Sequence, residues 1–144
     1  MNTTKKYPSK VSYGLLSFIF LIFYGPLVPL CIGYEFDAKI IGILVFQSFV
    51  YAFILHLFLK TEYSIDKAKL TIKCGVFSYQ PIDIQQIKEV STTKSLISSP
   101  APSFDRIQIN YGKFDEIIIS PRNKFNFIRD LIKINPAIKN NLFE

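Results

Sequence analysis

The sequence predicts a two-helix transmembrane hairpin followed by a mainly-β (α+β) domain of about six to seven antiparallel strands and one C-terminal amphipathic helix. Three observations predict it. Two uncharged apolar runs occupy much of the first sixty residues, the apolar period changes from helical to twofold after Lys60, and a helical pattern returns after Ser120-Pro121.

With 49% hydrophobic and 15% aromatic residues in 144, and a mean hydropathy of +0.26, the chain is too apolar for an ordinary soluble domain of its size. The excess lies at one end. From Val11 to Gly33 only Ser12 and Ser17 interrupt the apolar and aromatic residues, and from Ile40 to Leu59 only Gln47, Ser48 and His56 do. A run of about 20 residues, rising ~1.5 Å per residue, crosses a hydrocarbon core of ~30 Å. The expected division is a basic flank at 1–10, a helical hairpin at 11–59 with helices at about 11–33 and 40–59, and a domain at 60–144. Pro26 and Pro29 should kink or break the outer half of the first helix.

Lys5, Lys6 and Lys10 precede the hairpin and Lys60, Lys67, Lys69 and Lys73 follow it. The positive-inside bias therefore puts both termini on the cytoplasmic side of the membrane. A cleaved signal peptide is the rival reading of the first run. Leu30 before Cys31 is too large for a lipoprotein cleavage site, and no A-x-A-like site precedes Tyr34. Cys31 and Cys74 fall in different parts of the chain, so no disulfide between them is expected.

After Lys60, Tyr63 and Ile65 alternate with polar residues, as do Leu70, Ile72 and Cys74. That is a hairpin turning at Asp66 to Ala68. Gly75 marks a second reversal into a strand at Val76 to Tyr79, which Pro81 ends or places at an edge. Ile87 to Lys94 reads as a further strand, and a two-proline loop with a possible short strand at Leu96 and Ile97 follows. Ile107, Ile109 and Tyr111 share one face of the next strand, which turns at Tyr111 to Lys113 into a short strand at Glu116 to Ile119. Ser120 reads as an N-cap with Pro121 at the first helical position. Phe125, Phe127, Ile128, Leu131, Ile132 and Ile134 fill one half of the helical wheel; Asp130 falls in the polar half, and Asn135-Pro136 stops the helix.

The net charge of +6 divides into +3 for residues 1–10, −1 for 11–59 and +4 for 60–144. Basic charge beside a membrane needs no nucleic acid to explain it, and none is expected as a partner. The lone His56 leaves no second imidazole for a zinc site or a soluble catalytic base, and the six glycines form no phosphate-binding loop. Asp105, Asp115 and Glu116 read as turn acids before they read as an acid-base pair. No cofactor and no enzymatic activity are expected.

Four blocks, "TEYSIDKAKLTIKCGVF", "IDIQQIKEV", "SSPAPSFDRIQINYG" and "IIISPRNKFNFIRDLIKINPAI", resemble in order and spacing the bacterial PH-like family of YyaB type, over roughly Thr61 to Ile138. The resemblance implies a pleckstrin-homology-like barrel whose corner the C-terminal helix plugs, and a scaffold that hosts lipid, peptide and self-association sites alike. A wider group of bacterial membrane-anchored proteins of this kind resembles self-immunity factors against peptide antibiotics. The lipid-binding pattern of eukaryotic relatives, with its basic-x-Arg pair, is not met here, since Thr71 stands between Lys69 and Lys73.

The expected role is a membrane-anchored module binding a protein or peptide at the cytoplasmic face. Anionic lipid, a membrane-active peptide antibiotic and a second copy of the chain are the alternative partners. The candidate surface comprises Lys67, Lys69 and Lys73 of the first hairpin and Ser103, Asp105 and Arg106 after the proline loop. For the last pair the plain structural expectation is that Asp105 caps a turn while Arg106 lies on the wet face or pins the loop.

Overall fold

The computed structural model describes residues 3–33, 37–95 and 101–142. The short strand expected at Leu96 and Ile97 lies outside them. The described chain runs β1 (Lys5–Pro8), α1 (Tyr13–Tyr24), a 3-10 turn (Gly25–Leu27), α2 (Val28–Gly33) and α3 (Ala38–Leu59), then β2 (Thr61–Asp66), β3 (Lys69–Cys74), β4 (Phe77–Ser78) and β5 (Ile82–Asp83). A second 3-10 turn (Ile84–Gln86) leads to β6 (Ile87–Thr93), β7 (Arg106–Tyr111), β8 (Asp115–Ile119), α4 (Lys124–Ile134) and β9 (Lys139–Asn141).

Tyr13–Gly33 and Ala38–Leu59 are long and apolar enough to cross a membrane. Almost none of their residues are fully buried within the molecule, which sets them apart from the core helices of a soluble domain. The first span breaks at Gly25–Leu27, where Pro26 has no N–H to donate. Polar side chains join the two spans: Tyr24 and Ser48 share a hydroxyl bond of 3.0 Å, the Tyr51 hydroxyl donates to the Leu16 carbonyl at 3.3 Å, and the Gln47 amide donates to the Phe23 carbonyl. Bonds of this kind satisfy polar groups that lipid cannot.

Two sheets form the remainder. In the first, β1, β2, β3 and β4 lie side by side and β5 also pairs with β3; in the second the order is β8, β7, β6, β9, with β9 parallel to β6. Tyr63, Ile65, Leu70, Ile72, Val90, Ile107, Ile109 and Ile119 point inward from the two sheets and meet Phe127, Ile128 and Leu131 of α4 in one core. The alternation read from the sequence thus gives β2, β3, β6 and β7 their buried faces. Among the described residues the sheets are open, and no continuous ladder closes them into the barrel that the resemblance implied.

The N-terminal segment, read as a basic flank, is a strand. β1 pairs antiparallel with β2, from Lys5 opposite Ile65 to Pro8 opposite Glu62. One residue on, Ser9 bridges to Pro121, and the Lys10 and Arg122 amides donate to the Ser120 and Pro8 carbonyls at 2.7 and 3.0 Å. The N-terminus is therefore the seam between the sheets. Because β1 precedes the first apolar helix and β2 follows the second, both ends of the hairpin return to one side.

That seam corrects the expected helix start. Ser120 is fully buried, its N–H donates to the Tyr63 hydroxyl at 3.1 Å, and its own hydroxyl lies 3.1 Å from that of Ser9. Its hydrogen-bonding capacity is used between sheets, so Asn123 is the N-cap, accepting from the Asn126 amide at 3.2 Å. At the other end Asn135 does stop the helix. Buried, it donates to the Ile84 and Ile87 carbonyls at 2.9 and 3.2 Å and fixes the turn before β6.

Candidate functional site

The residues singled out in the sequence fall in three places. Lys69 and Lys73 lie on the outer face of the first sheet, where the register sets Lys69 between Asp66 and Asp83, and Lys73 opposite Glu62. Glu62 also takes Lys6 at 3.7 Å. The face alternates in sign and is not a basic patch. Lys67 occupies the β2–β3 turn in the left-handed region, φ 53°, and lines a separate groove of about 310 Å³ with Lys5, Asp66, Asp130 and Lys133.

Ser103, Asp105 and Arg106 form a clamp. The buried Arg106 guanidinium donates to the Ser103 carbonyl at 2.5 Å and the Ser95 carbonyl at 3.0 Å, tying the two ends of the proline loop together. The Ser103 hydroxyl, not Asp105, caps the turn, accepting from the Asp105 amide at 3.2 Å. Asp105 instead receives Lys10 at 2.9 Å and also Lys124, the first residue of α4. Partial burial raises the Asp105 carboxyl, but the bonds from Lys124 and Lys10 outweigh it and hold the group below the usual carboxylate range. This cluster joins the chain before α1, the chain before β7 and the start of α4.

A third polar centre was not foreseen. Asp130, placed by the helical wheel on the wet face, is 6% exposed because β1 covers it. Lys5 donates to its Oδ2 at 2.8 Å, as does the Tyr7 hydroxyl, while Lys133 stands 3.7 Å from Oδ1. Hydrogen bonds from Lys5 and then Tyr7 lower the Asp130 carboxyl despite its burial; burial and the same bond push Tyr7 up to about 12. The signal for it was the alternation Lys5, Tyr7, Ser9, which puts three side chains on one face of an extended segment.

The outer margin of α4 carries a further groove, outside the apolar helices. Phe125, Ile128, Ile132, Pro136, Asn140 and Leu142 line a groove of about 450 Å³ between the helix and β9. Phe125 and Ile132 were assigned to the buried half of the wheel. Phe125 is in fact 62% exposed, since Phe127, Ile128 and Leu131 are the α4 side chains that fill the core. Exposed Arg129 and Lys133 stand on the rim. An apolar floor with cationic edges fits a polypeptide segment that carries apolar and acidic side chains. Among the described residues, no three His, Cys, Asp or Glu side chains gather to hold a metal ion.

Residues 61–135 match the sequence model of the family described as Bacterial PH domain. The match covers the core strands and α4, and leaves β1 and the two apolar helices outside it. No curated protein and no solved structure matches the chain.

Proposed function

The chain belongs to the bacterial PH domain family, and we propose that it is a membrane-anchored, non-catalytic interaction module that binds a protein or peptide segment in the groove between α4 and β9. The two long apolar helices support the anchor. Pairing of β1 with β2 keeps the N-terminus and the domain on one side, and Lys5, Lys6, Lys10 and Lys60 beside the hairpin support the cytoplasmic side for both. The observation that carries the ligand assignment is the exposed apolar groove with its cationic rim.

Anionic lipid is the weaker reading. The lysines of the first hairpin alternate with Glu62, Asp66 and Asp83, which cancel their attraction for a headgroup. The test is photo-cross-linking in native membranes from the exposed position 140, with the full-length chain beside its Phe125→Asp variant. A discrete polypeptide adduct that Phe125→Asp abolishes is the expected result. Adducts to lipid alone would overturn the reading, and adducts to a second copy would replace it with self-association.

A further inference from the structure

The turn from Gly75 to Tyr79 lies against the second apolar helix and not over the sheets. The Gly75 amide donates to the Lys60 carbonyl at 3.2 Å, and a Cβ on Gly75 would stand 2.7 Å from Leu57 Cδ2. Two residues on, the Phe77 ring meets Phe53 edge to face at 6.5 Å. The turn is folded back along α3.

Phe53 is six residues before the end of that helix, or ~9 Å along its axis. With 22 residues, α3 is ~33 Å long, against a hydrocarbon core of ~30 Å. Spanning the core uses nearly the whole helix, so Phe53 and the ring packed on it lie at the depth of lipid. The exposed surface of the turn suits that depth: Val76 is 68% exposed, Phe77 56% and Tyr79 42%, and no charged residue occurs between Lys73 and Asp83. Its backbone is provided for. Lys73 and Cys74 pair with Ser78 and Phe77, and the Tyr79 amide donates to the Ile72 carbonyl at 2.9 Å, as non-helical backbone at that level requires.

We infer that the β3–β4 turn is a third membrane-contacting element, seating Val76, Phe77 and Tyr79 in the bilayer interface beside α3. The occupant of this apolar surface is lipid, because the surface is continuous with the exposed side of α3 at Phe53 and Leu59, and aromatic side chains favour the interface. The inference rests on the reading that α3 spans. It adds that the domain is held at a fixed height and tilt, with the β3 end of the first sheet dipped into the membrane.

The sequence contains no Trp, so a single one can be introduced as a reporter. Full-length Phe77→Trp, Val76→Trp, Phe46→Trp and Phe114→Trp would be reconstituted in phosphatidylcholine–phosphatidylglycerol vesicles with brominated acyl chains, folding of each being checked by circular dichroism. Phe46, 72% exposed in mid-helix, reports the span, and Phe114, 97% exposed in the β7–β8 turn, reports water. The expected result is blue-shifted emission from positions 76 and 77, lost to lipid bromines and protected from iodide, while position 114 is quenched by iodide. Quenching of Phe46→Trp by bromines with iodide-quenched emission at both 76 and 77 would overturn the third contact alone. Failure at Phe46→Trp as well would overturn the span, and this inference with it.

Discussion

The Tyr7 hydroxyl donates to the carboxylate of Asp130, 123 residues away in sequence. It joins a strand that precedes both apolar helices to the helix that covers the core. Removing that hydroxyl in Tyr7→Phe should cost about 1.5–3 kcal/mol, the range for a hydrogen bond to a charged group, while the Tyr7–Phe127 ring contact is kept. Asp130→Ala should cost more, because Lys5 and Tyr7 both lose their partner. Thermal unfolding of the three detergent-solubilised proteins would rank them.

The same pair makes stability depend on pH at both ends of the scale. The Asp130 carboxyl is lowered in the folded state from 3.8, so its stabilisation is present above that value and lost as pH falls through the lower, folded pKa. Tyr7 is raised from 10.0 to about 12, so its contribution is complete below pH ~10 and disappears as pH rises towards 12. In Tyr7→Phe the fall in unfolding midpoint above pH 10 should be smaller than in the parent. Equal falls in the two proteins would show that other groups govern the alkaline limb.

Two glycines with nearly the same backbone should respond differently to alanine. Gly75 and Gly112 have φ of +59° and +58°, where an L side chain costs about 1–2 kcal/mol. At Gly112 the added methyl meets only the Asp115 carboxylate, a flexible end that can swing away. At Gly75 it meets Leu57 side chain and backbone at 2.7 and 3.2 Å. Gly75→Ala should therefore be the more destabilising by about 1–3 kcal/mol, the range for forced overpacking, as read from denaturant midpoints.

Lys67→Gly should raise stability. Lys67 holds φ 53° at the β2–β3 turn with an L side chain. Relief of that conformation, less the added entropy of an unfolded glycine, is worth about 0.5–1 kcal/mol. A fall in the unfolding midpoint would mean that its side chain contributes more in the groove beside Asp130 than its backbone costs.

Arg106→Ala should destabilise by about 2–3 kcal/mol, since the carbonyls of Ser103 and Ser95 lose a buried, charged donor. Asp105→Asn, in a half-exposed ion pair, should cost less than about 1 kcal/mol. Equal losses in the two variants would show that the proline loop is held from the Asp105 side.

The parts legible in the sequence are those whose cause is local. The two long apolar helices followed from length and composition, the kink from Pro26, the hairpin at Asp66 to Ala68 from alternation, and the end of α4 from Asn135-Pro136. The parts missed depend on partners far along the chain. The alternation of Lys5, Tyr7 and Ser9 is too short to mark a strand until β2, more than fifty residues later, lies beside it. Without β1, Asp130 sits on the wet side of its helix and Ser120-Pro121 has the form of a cap. The same limit applies to the candidate surface. Asp105 and Arg106 stood out as a polar pair, and Arg106 does pin the loop, but the groove beside α4 became visible only once Phe127 and Leu131 had taken the core and left Phe125 outside.

A sheet that takes one strand from before the hairpin and the next from after it imposes an order on biogenesis. Emerging from the ribosome, β1 waits through both apolar helices before Thr61 to Asp66 exist to receive it. Until then Tyr63, Ser120 and Asp130 have no finished surroundings. A chain whose two apolar helices left β1 and β2 on opposite sides could not pair Lys5 to Pro8 with Glu62 to Ile65 or bring Ser9 to Pro121, and its first sheet would lack an edge.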